Sequence, residues 1–477
     1  MTRRALLGTF LAAPLGKAAG AEEWIELFDG HSLQGWRPSE NKNSWKVVEG
    51  TLAASGPRSH LFYNGPVRGA DFRNFELAVE VTTKPQCNSG LYFHTAYQET
   101  GFPEKGFEVQ INNTALGDGG YRERKKTGSL YGLRNMYKQL VPDEKPFQVR
   151  VAVRGKNVQI RLNGQLLVDY VEPTPPVIPA GGEKQRFLDH GTFALQCHND
   201  GSQAFFRSVR VRPLPDTLPA YLGAAPVVDE TYREIIDIGR HNVPMVDYHV
   251  FLRDGMTLED ALRKSRQDGI QYGITADAAA LKNEADAEQW LRPLLGKPVF
   301  FALSTPDGSW TRTLSQKTAQ RFDYILANGR TGHQEAPLAA DRHAFVDRLV
   351  EQTVQRLDTE PMDLYSGLTY LPPSLQGEAD ELWTPARKTR LIEALVRNRV
   401  AIELNTREHL PRQSFIQQAK EAGCKFSFGT GNQTMAELQR CEYGLQMVEA
   451  CHLDWQHFFV PGAGWPKAAE RRWPSRS

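Results

Sequence analysis

Residues 23–213 alternate apolar and polar positions in short runs, which clusters of Gly, Asn, Asp and Pro separate. A period of two residues is typical of half-buried β-strands. Asn163-Gly164 joins two such runs and favours a tight hairpin, because both turn residues need positive φ. The predicted strands are residues 75–81, 90–95, 107–111, 147–153, 158–162, 165–170, 192–197 and 205–211. This part of the chain is therefore predicted to be an all-β antiparallel sandwich, here given the bounds 22–213.

After a proline-rich segment at 214–227, which we interpret as a linker, strands alternate with helices. Thr257 and Asp260 form a capping-box pattern, and Gly269 is a stop signal for the same helix. The predicted helices are 258–268, 385–398 and 411–422, and the predicted strands are 244–251, 270–275, 400–404 and 425–428. This alternation predicts a mainly parallel α/β sheet or barrel over 228–463, followed by a loosely ordered tail at 464–477.

Composition excludes several classes of function. The 477 residues carry 57 basic and 56 acidic side chains, and a net charge of +1 gives no electrostatic basis for binding nucleic acid or an anionic membrane. No run of 18 apolar residues is present, so no membrane span is predicted. The five cysteines include no CxxC pair, which argues against a zinc ribbon or a thioredoxin-type site.

The first 21 residues have the pattern of an export signal. Arg3 and Arg4 precede a modestly apolar run at 5–15, and Ala19-Gly20-Ala21 has the form of a cleavage site. The arginine pair resembles a twin-arginine signal. We therefore expect a periplasmic or secreted protein.

Three predicted strands carry an apolar face opposite an unusually polar one, because side chains alternate across a strand. If the strands are neighbours, the polar faces form one concave patch of a carboxylate, imidazoles, amides and a phenol, which suits sugar hydroxyls. An ordinary solvated outer face is the alternative. The residues of this patch are Asn88, Tyr92, His94, Glu108, Gln110, Asn112, Gln196 and His198.

Six ordered blocks of sequence resemble the 3-keto-disaccharide hydrolase family, also described as 3-keto-glucoside lyase or 3-keto-2-hydroxy-glucal hydratase. The blocks are WIELFDGHSLQGW (24–36), NSGLYFHTAYQ (88–98), GFEVQINN (106–113), KTGSLYGL (126–133), RLNGQLLVDY (161–170) and GTFALQCHNDGS (191–202). The resemblance implies a concanavalin-like jelly roll that cleaves glycosides already oxidised at C3 by elimination and hydration. A glycoside 3-oxidoreductase would supply that substrate.

A ketone at C3 acidifies the C2 proton, so such a site needs a base, a proton donor for the leaving oxygen and a group that polarises the ketone. We expect Glu108 and His198 to be the acid–base pair, in either order. Lys126 could stabilise the enolate. No cofactor is required, although a divalent ion held by His94, Glu108 and His198 could polarise the ketone instead. The residues expected to orient the sugar are Asn88, His94, Gln110, Asn112, Tyr131 and Gln196.

The second domain resembles the PHP superfamily of metal-dependent phosphoesterases, but it departs from that family's ligand pattern. Asp247 and His249 match the opening Asp-x-His-x-His motif, whose last histidine is Phe251 here, and Glu403 matches the acidic strand. The blocks at 275–277 and 429–433 lack the family's histidines. Asp247, His249 and Glu403 are therefore candidate ligands, with His333 as an additional one. We interpret the domain as a PHP-like barrel without metal catalysis; a single-metal or repurposed site is the alternative.

Three classes of function follow. The first is an exported enzyme that cleaves 3-keto-glycosides with the sandwich. The second is a lectin-like module that binds a glycan without chemistry. The third is a PHP-type phosphoesterase, against which the missing ligands argue.

Overall fold

The computed structural model describes residues 23–117, 122–178, 185–218, 220, 225–330 and 342–474. The predicted export signal lies outside the described residues, as does His333. Within the described part of the chain, no helix combines the length and the apolar character needed to cross a bilayer.

The first domain is an antiparallel sandwich, as the alternating pattern predicts. One sheet has the order β11-β10-β9-β6-β13-β4-β3, with β1 against β13, and the other has the order β2-β5-β12-β7-β8. Asn163 and Gly164 both have positive φ and turn the β10–β11 hairpin. The strands are β1 Ile25–Glu26, β2 Trp36–Pro38, β3 Trp45–Val48, β4 Thr51–Ser55, β5 Ser59–Tyr63, β6 Phe75–Thr83, β7 Ser89–Thr95, β8 Phe107–Ile111, β9 Phe147–Arg154, β10 Asn157–Leu162, β11 Gln165–Val171, β12 Thr192–Cys197 and β13 Gln203–Pro213.

Among the residues described, the second domain is a closed barrel of seven parallel strands with helices between them. The strands are β14 Val246–Val250, β15 Gln271–Asp277, β16 Phe300–Thr305, β17 Tyr324–Asn328, β18 Leu364–Ser366, β19 Ala401–Asn405 and β20 Phe426–Gly429. The helices are α1 Glu230–Arg240, α2 Leu258–Asp268, α3 Glu284–Leu291, α4 Trp310–Thr313, α5 Gln316–Ala319, α6 Arg342–Thr359, α7 Ala379–Leu382, α8 Pro385–Asn398, α9 Gln413–Glu421, α10 Glu442–Ala450 and α11 Ala468–Arg471. The Thr257–Asp260 capping box and the left-handed Gly269 bound α2 as predicted.

The prediction of a loosely ordered tail is wrong for residues 464–474. Ala468 and Ala469 are buried, and the Trp473 ring packs edge-on against Trp310 at 5.4 Å between centroids. Arg471 donates hydrogen bonds to backbone carbonyls of the barrel. Buried apolar side chains and hydrogen bonds to backbone carbonyls therefore stabilise this segment. Its composition alone did not indicate these contacts.

The loop at residues 122–138, which follows β8 in the sandwich, makes contacts with the second domain. Arg134 donates to Tyr232 Oη at 2.8 Å, and the Tyr137 backbone N–H donates to Gln271 Oε1 at 2.8 Å. Lys138 forms an ion pair with Asp323 at 2.6 Å. The loop that contains the predicted residues Lys126 and Tyr131 is thus packed against the barrel domain.

Candidate active site

The three strands that the sequence analysis singled out are neighbours, in the order β12-β7-β8. Leu91, Val109 and Leu195 point from them into the sandwich core. Tyr92, Glu108, Gln110 and Gln196 lie on the opposite face, because their positions alternate with those of the core residues.

Two cross-strand rows make up this polar face. In the first row, the backbone pairs His60 with Gln196, and Gly90 with Gln110. In the second row, Phe62 pairs with Ala194, Ala194 with Tyr92, and Tyr92 with Glu108. The face therefore changes from apolar at Phe62 to acidic at Glu108, and its residues are buried, with Glu108 at 7% exposure.

Hydrogen bonds hold the amides of the face in fixed orientations. Gln110 Nε2 donates to Asn88 Oδ1 at 2.6 Å, and Gln196 Nε2 donates to Tyr92 Oη at 3.0 Å. The Phe102 ring lies 5.8 Å from His60 and 5.4 Å from His198, and so covers one end of the face. Glu108 and Tyr131 lie at the other end, where the Tyr131 N–H donates to the Glu108 carbonyl at 2.9 Å.

Gly90 gives the Glu108 side chain its position. A Cβ added at residue 90 would lie 2.3 Å from Glu108 Oε1, so the carboxylate occupies the space that a side chain there would fill. The φ of Gly90 is not positive, and the backbone itself would accept another residue.

We expect Gly90→Ala to lower activity on a sugar substrate about tenfold or more, because the flexible carboxylate would swing away from its site. The free energy of unfolding should change little, since only the end of one side chain has to move. Steady-state kinetics and urea unfolding check both parts. Gly201→Ala is the matched control, because a Cβ added there would have no atom within 4 Å; equal activity in the two variants would contradict the expectation.

His94 does not lie on the polar face, and this placement corrects the prediction. Between the pairs Thr192–Thr95 and Ala194–Tyr92, strand β7 contains one residue more than β12. His94 lies in this irregular part of β7 and has a φ of 54°. A bulge of this kind interrupts the alternation of side chains. The ring packs 5.7 Å from Phe75, with Nε2 at 2.9 Å from the Arg73 carbonyl and Nδ1 accepting from the Asp189 N–H at 3.3 Å. The predicted metal set of His94, Glu108 and His198 is therefore not assembled.

The separation between Glu108 and His198 is also too large for the two residues to act as acid and base on one sugar ring. His198 lies four residues beyond Ala194 and two strands away from Glu108. A strand spacing of about 4.8 Å and a rise of about 3.3 Å per residue put their Cα atoms about 16 Å apart. With this register, Glu108 and His198 do not both reach the same carbon atom of a sugar.

Asn112, Lys126 and Tyr131 lie in or beside the loop that follows β8. The Asn112 amide donates to the carbonyls of Ala115 and Lys125, at 3.2 and 3.1 Å, and thus supports the loop. Lys126 Nζ donates to the Ala115 carbonyl at 3.0 Å, and burial lowers the pKa of Lys126 to about 8. Tyr131 Oη donates to Glu123 Oε2 at 3.3 Å.

Sequence reasoning missed two residues, His60 and Lys125. His60 is fully buried beside Tyr92, with ring centroids 5.4 Å apart. Residues 59–63 (SHLFY) alternate like the other strands, so this position could have been found by pattern. Lys125 lies over the Tyr131 ring at 4.5 Å and contacts the barrel domain, which local pattern does not indicate.

Burial favours neutral imidazoles at two positions. It lowers the pKa of His60 to about 3 and that of His94 to about 4, and in His94 the Nδ1 lone pair is already an acceptor. Because the unfolded chain binds protons near pH 6.5, the stability that these residues confer is complete above that pH and is lost as the pH falls.

From pH 7.5 to 5.5 we expect each of these histidines to contribute a loss of about 1.4 kcal/mol in the free energy of unfolding. Urea unfolding at the two pH values measures the change. His60→Gln and His94→Gln should each reduce it by about that amount, whereas His31→Gln, at an exposed turn, should leave it intact. An unaltered pH dependence in both buried variants would refute the assignment.

The candidate ligands of the barrel domain do not fit a metal centre. Asp247 accepts hydrogen bonds from the N–H groups of His249 and Thr430, both at 3.0 Å, and from Thr430 Oγ1 at 2.5 Å. Glu403 accepts from Ser366 at 2.7 Å and Asn405 at 2.6 Å, and lies 2.8 Å from His249 Nδ1.

These hydrogen bonds engage every oxygen of both carboxylates. Burial opposes ionisation of Glu403, but the His249 ring and the hydrogen bonds outweigh it and lower the pKa of the acid. In the described part of the chain, no group of three His, Cys, Asp or Glu side chains is arranged to hold a metal ion.

Comparison with known proteins bears on the sandwich. Residues 23–212 match a family model described as a 3-keto-alpha-glucoside-1,2-lyase-like domain. This match confirms the resemblance seen in the six sequence blocks, and it indicates a carbohydrate-active domain. No curated protein matches the chain.

Solved structures similar to this chain each match about two fifths of it. A candidate glycosyl hydrolase from Parabacteroides distasonis has 22% identity and a TM-score of 0.34, over 40% of this chain and 94% of its own. The carbohydrate-binding module CBM66 from Bacillus subtilis has 14% identity and a TM-score of 0.24, over 37% and 95%. A Bacillus subtilis protein with a galectin-like fold has 12% identity and a TM-score of 0.31, over 41% and 97%.

Proposed function

We propose that the sandwich cleaves glycosides whose sugar is oxidised at C3, by elimination followed by addition of water, and that the protein is exported to act on them. The observation that carries the proposal is the Glu108 carboxylate, held over Gly90 on a polar face, in a domain that matches a 3-keto-glucoside lyase-like family model. A divalent metal is not needed for the steps below.

Glu108 is the base of the proposed reaction. It removes the proton on C2, which the neighbouring ketone acidifies, and the electron pair moves to form an enolate at C3. The enolate then re-forms the C3 ketone as a double bond forms between C1 and C2, the bond from C1 to the glycosidic oxygen breaks, and that oxygen takes up the proton that Glu108 removed. Water adds its hydroxyl group to C1 and a proton to C2, so the net change is hydrolysis.

Lys126 is the proposed source of positive charge for the enolate. Its lowered pKa of about 8 leaves the ammonium form in the majority at neutral pH, and still lets the group give up a proton. The amides of Asn88, Gln110 and Gln196, with the Tyr131 phenol, would orient hydroxyl groups. The Cα atom of His198 is about 16 Å from that of Glu108, so His198 would contact the second sugar unit of a disaccharide instead of the reacting carbon atoms.

Parallel assays on p-nitrophenyl 3-keto-glucoside and on p-nitrophenyl glucoside test the proposal. We expect release of nitrophenol from the keto substrate alone, because without the ketone the C2 proton is not acidic enough to be removed. Equal turnover of both would favour ordinary glycosidase chemistry. Binding of both glycosides without turnover would favour a lectin-like module instead.

A glycoside 3-oxidoreductase is the class of enzyme that must act before this one, since the substrate already contains the ketone. The prediction of a PHP-like identity for the barrel stays a proposal. A PHP-type phosphoesterase activity is not favoured, because no group of three His, Cys, Asp or Glu side chains among the described residues is arranged to hold a metal ion.

A further inference from the structure

The barrel has a polar cavity of about 190 Å³ at the carboxyl ends of its strands. Asp277, Asn328, Ser366 and Asn405 line it, and each is the last residue of its strand. The carboxyl end of a parallel α/β barrel is where such folds place their ligands. The cavity is smaller than the roughly 300–1,000 Å³ of sites for drug-sized molecules, so its size suits a small ligand.

His249 forms the inner end of this cavity with one ring nitrogen unsatisfied. Its side chain is only 4% exposed, and Nδ1 lies 2.8 Å from Glu403. Nε2, on the other side of the ring, has no hydrogen-bond partner among the described residues. A buried polar nitrogen without a partner costs free energy, and a ligand in the cavity would remove that cost.

Three arginines line the same cavity: Arg253, Arg330 and Arg407. Each has a polar partner: Arg253 contacts Gln433, another lining residue, at 2.6 Å, Arg330 contacts Glu408 at 2.9 Å, and Arg407 contacts Glu437 at 3.1 Å and Glu408 at 3.2 Å. A guanidinium group offers five N–H donors, so one such contact fixes its position and leaves donors for a second partner. Against these three positive charges, the described lining residues include one carboxylate, that of Asp277.

The rest of the lining provides groups that recognise hydroxyls. Asn328 and Asn405 contribute amides, and Ser304 and Ser366 contribute hydroxyl groups. Arginine forks match the paired oxygens of a carboxylate or a phosphate, whereas amides and hydroxyls suit alcohols. A ligand that satisfies both has an acidic group on a short hydroxylated carbon chain.

We propose that the mouth of the barrel binds such a molecule, a small sugar acid or sugar phosphate, without a metal ion. Every oxygen of Asp247 and Glu403 already has a protein hydrogen-bond partner, and His249 Nε2 is the inner polar atom without one among the described residues. This inference does not depend on the activity proposed for the sandwich.

Isothermal titration of the full chain with gluconate, glucose 6-phosphate, inorganic phosphate and neutral glucitol tests the proposal. We expect at least one of the two hydroxylated anions to bind, and glucitol to bind at least about tenfold more weakly. Binding of gluconate alone would assign a carboxylate, and binding of glucose 6-phosphate with phosphate would assign a phosphate. Equal binding of glucitol, or no binding of any of the four at millimolar concentration, would overturn the inference.

Arg253→Gln locates the site, with Arg263→Gln as the matched control. Arg263 lies on α2 with its side chain 55% exposed and away from the cavity lining. We expect Arg253→Gln to weaken anion binding about tenfold and the control to leave it unchanged. Equal affinity in both variants would show that the anion binds elsewhere. Turnover of the keto substrate should be the same in both, which keeps this test separate from that of the sandwich.

Discussion

Glu108→Gln is expected to abolish most turnover of a 3-keto-glucoside, with a fall in kcat of about 10²–10⁴-fold, the usual contribution of a general base. Glutamine has nearly the same shape and keeps a hydrogen-bonding oxygen, but it cannot accept the C2 proton. Because the cross-strand contacts with Tyr92 and Gly90 are preserved, KM should change much less than kcat. Steady-state kinetics on the nitrophenyl 3-keto substrate measure both constants.

Glu80→Gln is the matched control for that experiment. Glu80 lies on β6 in the other sheet, in a partly exposed ion pair with Arg207 at 3.8 Å. Its replacement should leave kcat within the error of the wild type. A Glu108→Gln variant with more than half of the wild-type kcat would move the base to another residue, and Glu123 would then be the first to examine, because it contacts both Tyr131 and Lys125.

Lys125→Met is expected to lower the free energy of unfolding by about 3–5 kcal/mol, the usual cost of removing one partner from a buried ion pair. Lys125 Nζ is fully buried between the domains and donates to Asn242 Oδ1 and, at 3.2 Å, to the Arg240 carbonyl. It lies 3.7 Å from Glu123, whose side chain is 2% exposed. The substitution therefore leaves the Glu123 carboxylate without its positive partner, and the Asn242 and Arg240 oxygens without their donor. Urea unfolding, followed separately by circular dichroism and tryptophan fluorescence, measures the loss.

Lys84→Met provides the comparison for a lysine at the surface. Lys84 pairs with Glu144 at 3.1 Å, and the two side chains are about half exposed. Exposed pairs contribute only about 0–1 kcal/mol, so this variant should be nearly as stable as the wild type. Adding Glu123→Gln to Lys125→Met should recover part of the loss, since it removes the uncompensated charge. Equal stabilities of the two lysine variants would refute a role for the buried pair.

The contacts of Lys125 suggest why the two domains occur in one chain. The loop at 122–138 contains Lys126 and Tyr131 of the candidate site and packs against the barrel through Arg134, Tyr137 and Lys138. A loop held at both sides keeps catalytic groups in position at lower entropic cost. The Lys125→Met variant should accordingly lose activity as well as stability.

The sequence by itself determined the elements and their faces. Alternation over 107–111 and 192–197 predicted which side chains enter the core, and the structure confirms Val109 and Leu195 there. Asn163-Gly164 predicted the hairpin, and Thr257 with Gly269 predicted both ends of a helix. These features depend on neighbours within a few residues, where φ preference, capping and the side-chain period act directly.

Only the tertiary structure decided which polar groups meet. A period of two residues assigns a side chain to a face but does not set how far one strand is shifted against the next. The bulge at His94, the separation of Glu108 from His198 and the inclusion of His60 follow from that register. Thr430 and Ser366, which are distant in sequence, donate to Asp247 and Glu403, and Lys125 contacts the second domain across more than 100 residues of chain. Contacts between residues so distant in sequence form only when the whole chain packs. The local pattern of apolar and polar residues therefore does not predict them.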